Sequence, residues 1–409
     1  MALGAGHRRH RLMLLEGVRV LDLSRMLAGP YGSMLLADLG AEVIKIEEPQ
    51  GGDPMRTMGP PFLGPGRESA YFLSINRNKR SVALDLATSE GQGVFHDLCR
   101  VSDVVWENFR PGVLARLGCA PATLRQLNPR LVVCSISAFG QEGPYREWPA
   151  FDLALQAMGG AMSLTGEAGR APARMGLPMG DLAGGMFGAL AVTSALFRRA
   201  QTGEGVHFDL SLLDCQVSLL TYIAQYFWAD GRVPGRVGSG HASVVPYQAF
   251  PTRDGHVVVA VFAEKFWAGF CRAIERPELA ADPRFDSNLK RVERRGELVP
   301  LLEAVFPARP TAEWLTRLQR EGVPVAPIST VDQVVTDPQV RLRDMVVDLQ
   351  HPTLGTLSTL GTPIKVQGAS PLRPDPPPAL GEHTEAVIRE LLGYSSERID
   401  DLRRRRVIL

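Results

Sequence analysis

The sequence predicts an α/β fold: a large domain built on a Rossmann-like parallel sheet, joined to a smaller α+β domain. Three observations predict it. Short β-branched runs alternate with helix-like stretches through residues 17–140. Near Gly203 the pattern changes to strand-turn-strand and then to helices. At 409 residues the chain is long enough for two domains.

Taken in order, GVRVLDL (17–23) reads as a strand, Pro30–Gly40 as a helix and EVIKIE (42–47) as a second strand. Ser81–Leu86 is a third strand, and Thr88–Arg100 a helix with SEG as its start signal. Asp103–Glu107 and LVVCSIS (131–137) are β-branched runs on either side of a helical ATLRQL. Strands that alternate with helices form βαβ units and a parallel sheet. Ligands of such sheets bind outside the carboxyl ends of the strands. The segments placed there are LSRMLAGP (23–30), IEEPQGGD (46–53), ENFRPG (107–112) and SAFGQEGP (137–144). AGP, not GxGxxG, follows the first strand, and no GxxxxGK[ST] occurs, so a nicotinamide or P-loop nucleotide site is unsupported.

Leu182–Phe197 is apolar enough for a core helix. Beyond Gly203, GVHFDLS is a strand that feeds one long helix, Leu212–Ala229. A glycine-bearing loop, GRVGSGHAS (235–243), precedes PYQAFPTRDGHVVVAV, where Asp254-Gly255 signals a hairpin. Helices dominate to about Glu321, a proline-rich loop spans 371–381, and a final helix covers His383–Gly393.

Composition narrows the function. A net charge of +1 gives no general attraction to nucleic acid or to an acidic membrane surface. Five cysteines, odd in number and scattered, show no CxxC spacing; neither a disulfide framework nor a metal site is supported, and a cytoplasmic protein is expected. The basic first dozen residues carry too short an apolar stretch for a secretory signal and read as a loose extension. Arg403–Arg406 reads as a solvated helix end. The longest apolar run, Phe187–Phe197, is about half of a membrane span.

One carboxylate stands out. In PMGDLAGGMFGAL (178–190), Asp181 lies alone among glycines and apolar residues. An Asp there can cap the following helix. It can also act as a nucleophile, with Gly180, Gly184 and Gly185 leaving room for a ligand. The local sequence leaves both open.

The stretches GVRVLDLSRMLAGPYGSMLLADLGAEVIKIE (17–47), NRNKRSVALDL (76–86), ENFRPG (107–112), GDLAGG (180–185), GSGHASVVPYQAF (238–250) and LGEHT (380–384) together resemble the family III CoA-transferases, from about Leu15 to Leu402. The resemblance implies an interlocked homodimer. Its large CoA-binding domain would comprise 14–215 and 330–409, its small domain 235–325, with 216–234 as a linker helix. It implies Asp181 as the nucleophile that attacks a thioester, with coenzyme A as substrate and no permanently bound cofactor. A carboxylate suits that task, because the mixed anhydride it forms stays reactive enough for CoA to return.

The resemblance also places CoA contacts at Arg25, Leu27, Ala28, Leu84, Asn108, Phe109, Arg110, Arg116 and Phe151. Guanidinium groups such as Arg110 and Arg116 match phosphate geometry well. Lysines that hold phosphates in some relatives are replaced here by Ala87 and Ser137. Gly238, Ser239, Gly240 and His241 match a loop that folds over the active site in relatives. The same fold hosts 2-methylacyl-CoA racemases, whose proton-transfer His falls in a segment matching Ala150-Phe151-Asp152. This chain has Phe151 there and no histidine between His96 and His207, which speaks for a transferase. GHASVVPYQAF, NRNKRS and HPTLG (351–355) look most like enzymes that pass CoA from succinyl-CoA to a second dicarboxylic acid.

Overall fold

The β-branched runs of the N-terminal half form strands β1 (Arg19–Asp22), β2 (Glu42–Glu47), β3 (Lys79–Ala83), β4 (Val104–Glu107) and β5 (Val132–Ser137), joined by β6 (His207–Ser211). In the computed structural model, which describes residues 13–367 and 374–409, they make one six-stranded sheet in the order β3-β2-β1-β4-β5-β6. Every neighbouring pair is parallel. The order reverses between β1 and β4. In a doubly wound sheet this switch point opens the ligand crevice.

Successive residues of each strand face opposite layers. Leu21, Ile44, Val82, Val105 and Val133 pack with Val94, Phe95 and Leu98 of helix α3 (Ser89–Arg100). Val20, Val43, Val104 and Val132 pack instead with Ala28 and Leu36 of α1 (Ala28–Asp38) and with Val192 and Leu196 of the long helix 179–202. Burial on both faces explains why these strands read as continuous apolar runs rather than alternating ones. Between α1 and α3, α2 spans Ala70–Ile75; α4 (Val113–Arg116), α5 (Pro121–Leu127), α6 (Asp152–Met158) and α7 (Met179–Thr202) follow.

The chain divides into two units. The first runs to Gly160, resumes over Met175–Thr221 and again from Pro338; the second comprises Ala161–Arg174 and Tyr222–Asp337. The segment 161–174 thus falls with the second unit. There the Gly238 N–H donates to Gly166 O and Arg236 to Arg170 O. The expected single helix over Leu212–Ala229 is broken into α8 (Leu212–Ser218) and α9 (Thr221–Asp230). Thr221 sits at φ +42°, which a β-branched residue rarely adopts and which ends helical propagation. The stretch holds no Gly or Pro, so its sequence gives no sign of the break.

In the second unit β7 (Tyr247–Pro251) and β8 (His256–Ala260) pair antiparallel around the Asp254-Gly255 turn, and β9 (Val325–Pro327) extends the sheet. Its core packs Phe250, Phe270, Phe306 and Trp314. In the first unit the final helices, α10 (Thr384–Leu392) and α11 (Ser396–Arg404), cover the sheet beside α3. The expected N-terminal extension lies outside the described residues, as do 371–373 of the proline-rich loop.

The helix expected from Leu182 starts at Met179 and ends at Thr202, where Gly203 takes φ +75° as its stop. By length and composition α7 could cross a membrane, but half of its apolar window is buried in the fold. It packs on α1, α6, α8 and β5 as a core helix.

Candidate active site

Asp181 is not the cap of α7. It stands inside the first turn, and Pro178, at the N-cap, offers no side-chain hydrogen bond. The capping comes from another helix. Asp152, at the start of α6, accepts the Gly180 N–H at 2.8 Å and the Asp181 N–H at 3.3 Å on its Oδ1. Gln156 Nε2 donates to the other Asp152 oxygen at 2.6 Å, and Gln156 Oε1 accepts the Met175 N–H at 2.8 Å. The orphan amides of the helix start are thereby satisfied without Asp181. Its carboxylate takes no part in the cap.

Burial, and then the charge of Asp152, push the Asp181 carboxyl up to about 7. Tyr71 on α2 is the residue that sequence reasoning missed. Partial burial raises its phenol to about 12, and the charges of Asp181 and Asp152 act in the same direction, so Tyr71 lies within electrostatic reach of both carboxylates and stays a hydrogen-bond donor at neutral pH. Its position, in the helix just before NRNKRS, was the available signal.

The glycines beside Asp181 do not leave room for a ligand, as the sequence suggested. A methyl on Gly184 would lie 2.1 Å from Leu212 Cδ2, and one on Gly185 would lie 2.8 Å from Ala28 O. Gly180 likewise faces Asp152 Oδ1, at 3.0 Å from the place of a Cβ. These glycines bring α7 against α1 and α8 and admit the capping carboxylate.

At the switch point three of the predicted CoA residues, Arg25, Asn108 and Phe109, meet. Asn108, just past β4, accepts the Arg25 N–H on Oδ1 and donates from Nδ2 to Arg25 O, both at 2.8 Å. The Arg25 guanidinium lies 5.4 Å from the centre of the Phe109 ring. Phe109 N–H donates to Glu107 Oε2 at 2.7 Å, and burial pushes the Glu107 carboxyl up to about 7. Leu27 and Ala28 open α1 and are buried, so they present backbone rather than side chains. Among the described residues, Arg25, Arg110 and Arg116 have no carboxylate partner, and Arg110 and Arg116 are exposed. Such guanidinium groups are available to phosphates.

The other predicted residues sit just past a strand end, at a helix start and in the second unit. Leu84 is buried in the core, its backbone bridged to Ile408. Ser137 is buried and its Oγ accepts the Gly140 N–H, while Ala87 N–H donates to Asp85 Oδ1. Phe151 precedes Asp152 and is 71% exposed. Gly238, Ser239, Gly240 and His241 belong to the second unit. Gly238 takes φ +61°, Ser239 Oγ accepts the Ala249 N–H, and the His241 ring stacks 6.0 Å from Tyr222 and accepts the Ser243 N–H on Nδ1. Arg295 donates to the carbonyls of His241 and Ala242. Among the described residues no cluster of His, Cys, Asp or Glu could hold a metal ion.

Comparison with known proteins identifies the family. The family model for CoA-transferase family III matches residues 15–384. Human succinyl-CoA:glutarate CoA-transferase is 38% identical over 388 residues, covering 95% of this chain and 88% of the human one. Succinyl-CoA:mesaconate CoA-transferase from Haloarcula hispanica is 38% identical over 395 residues, covering 94% and 98%. A crystal structure of a CAIB/BAIF family protein from Brucella suis superposes with a TM-score of 0.83 at 40% identity, covering 92% of this chain and 99% of that one. This chain is an enzyme of the CoA-transferase type and belongs to CoA-transferase family III.

Proposed function

We propose that the enzyme moves CoA from succinyl-CoA to a second small dicarboxylic acid through covalent intermediates on Asp181. The observation that carries this reading is the Asp152 cap, which frees a carboxylate at a helix start from structural duty. An Asp181 oxygen attacks the thioester carbonyl carbon, the C–S bond breaks, and CoA leaves as thiolate. The thiolate then attacks the Asp181 Cγ; the anhydride C–O bond breaks, releasing the donor acid and leaving an aspartyl-CoA thioester. The acceptor carboxylate attacks Cγ in turn and expels CoA thiolate, forming a second anhydride. Attack of the thiolate on the acceptor's acyl carbon completes the transfer and restores Asp181. Tyr71 supplies a hydrogen-bond donor for the oxygen that gains charge at each attack. Arg25, Phe109, Arg110 and Arg116 hold the nucleotide end. The succinyl donor and dicarboxylic acceptor rest on the relatives' names. Phe151, a hydrocarbon ring beside Asp152, supplies no group for α-proton exchange.

Incubation with succinyl-CoA followed by hydroxylamine tests the route. A hydroxamate on the peptide containing Asp181, absent from Asp181→Ala, is expected in the mass spectrum. No adduct, together with α-proton exchange into deuterated water, would overturn the reading.

The reading extends to a homodimer. Met186, Leu190 and Phe197 on α7 are 44%, 61% and 70% exposed, on a helix whose other face is core. Bulky apolar groups left in water on a core helix mark a partner surface, and a second copy of the chain is the occupant. Sedimentation at nanomolar concentration is expected to show the dimer; a stable monomer would refute it.

A further inference from the structure

The turn between β1 and α1 is held more completely than a surface turn needs. Ser24 N–H donates to Asp22 Oδ1 at 2.9 Å, and Ser24 O accepts from Lys45 Nζ at 2.8 Å. Asn108 takes both backbone groups of Arg25. Met26 N–H donates to Asp53 Oδ1 at 3.3 Å, an oxygen that also accepts the Met55 N–H at 3.0 Å. Met26 stands at φ +68°, in the left-handed region that L side chains rarely adopt. Such a residue persists only where its surroundings over-determine it.

The surroundings here are a buried ion pair. Lys45 Nζ lies 3.0 Å from Asp53 Oδ2, and both side chains are fully buried. Three carboxylates, Asp22, Asp53 and Glu47, act on the Lys45 ammonium, so its charge is compensated. Removing two charges from water is costly, and a buried pair is by itself a weak source of stability. This pair, however, links β2 and the 48–53 loop to the two flanking peptides of a turn at the ligand crevice. We propose that Lys45 and Asp53 are positioning residues for CoA: they hold the Ser24–Met26 turn in its left-handed form and so set where Arg25, Leu27 and the start of α1 meet the nucleotide. Neither touches the substrate. The inference rests on the assignment of this turn to CoA made above.

The test measures kcat and KM for succinyl-CoA and for glutarate. Asp53→Asn keeps the size but loses a bond whichever way the amide faces, because Asn offers one acceptor where Asp53 serves Lys45 and two amides. Its KM for succinyl-CoA is expected to rise roughly tenfold, with kcat and the glutarate KM within about twofold. Met26→Gly added to Asp53→Asn is expected to restore most of that KM, because glycine takes φ > 0 freely. Within the intact pair, Met26→Val, strained at this φ, is expected to raise the same KM several-fold more than Met26→Gly does. This second comparison stands even if Asp53→Asn fails to fold. An unchanged KM in Asp53→Asn, no rescue by glycine, or equal effects of Val and Gly would overturn the proposal. Arg25→Ala separates the two claims: if it raises the succinyl-CoA KM while the clamp variants do not, the CoA assignment stands and the clamp falls. If Arg25→Ala leaves it unchanged, both fall.

Discussion

Asp181→Asn is expected to lower kcat/KM by roughly 10⁴-fold or more, while the Kd for CoA stays within about threefold. The amide is isosteric and keeps the helix start intact, because Asp152 and not Asp181 satisfies the free amides. What is lost, on the proposed route, is the oxygen nucleophile. The intact enzyme carries a matching pH signature. With the carboxyl at about 7, only the deprotonated form attacks, so kcat/KM rises with pH between about 6 and 8, half-maximal near 7. Since the Asp152 charge contributes to that shift, Asp152→Asn moves the midpoint to lower pH. Stability runs the other way. The folded chain binds the Asp181 proton more tightly than the unfolded one, so this contribution is full at low pH and lost as pH rises through about 7. Asp181→Asn, with no buried charge, is therefore expected to melt above the unsubstituted protein at pH 8. Stopped-flow or steady-state kinetics and thermal melts across pH check both halves.

Gly185→Val is expected to destabilise the fold by about 3 kcal/mol, read as a drop in urea midpoint. A Cβ on Gly185 would lie 2.8 Å from Ala28 O, 2.9 Å from Tyr31 Cδ1 and 3.0 Å from Gly32 N. Two of these are backbone atoms, so the clash is relieved only by parting α1 from α7. That separation would move the start of α1, beside the Ser24–Met26 turn, away from the first turn of α7, which carries Asp181. Activity is therefore expected to fall further than stability predicts. Gly93→Ala is the control. Gly93 is exposed on α3 with nothing within 4 Å of a Cβ, so the substitution is expected to stabilise by about 0.5–1 kcal/mol.

The strands of the parallel sheet were legible because their period and composition are local properties. EVIKIE is β2 to the residue, and the Asp254-Gly255 pair marks the β7–β8 hairpin. The family resemblance likewise rests on residues read in order along the chain. What stayed hidden is non-local. The break at Thr221 carries no Gly or Pro, and the entry of 161–174 into the second unit depends on hydrogen bonds to residues some seventy positions away.

The sequence by itself determined the α/β class, the family and Asp181 as the residue of interest, since periodicity and motif order need no third dimension. Only the tertiary structure decided what Asp181 is free to do. A cap is a hydrogen bond, and whether a helix start finds it within its own turn or from Asp152, 29 residues away, depends on which helices pack together. The glycines followed the same logic: the space beside a missing side chain belongs to whatever the fold brings there, and here that is α1, Leu212 and Asp152.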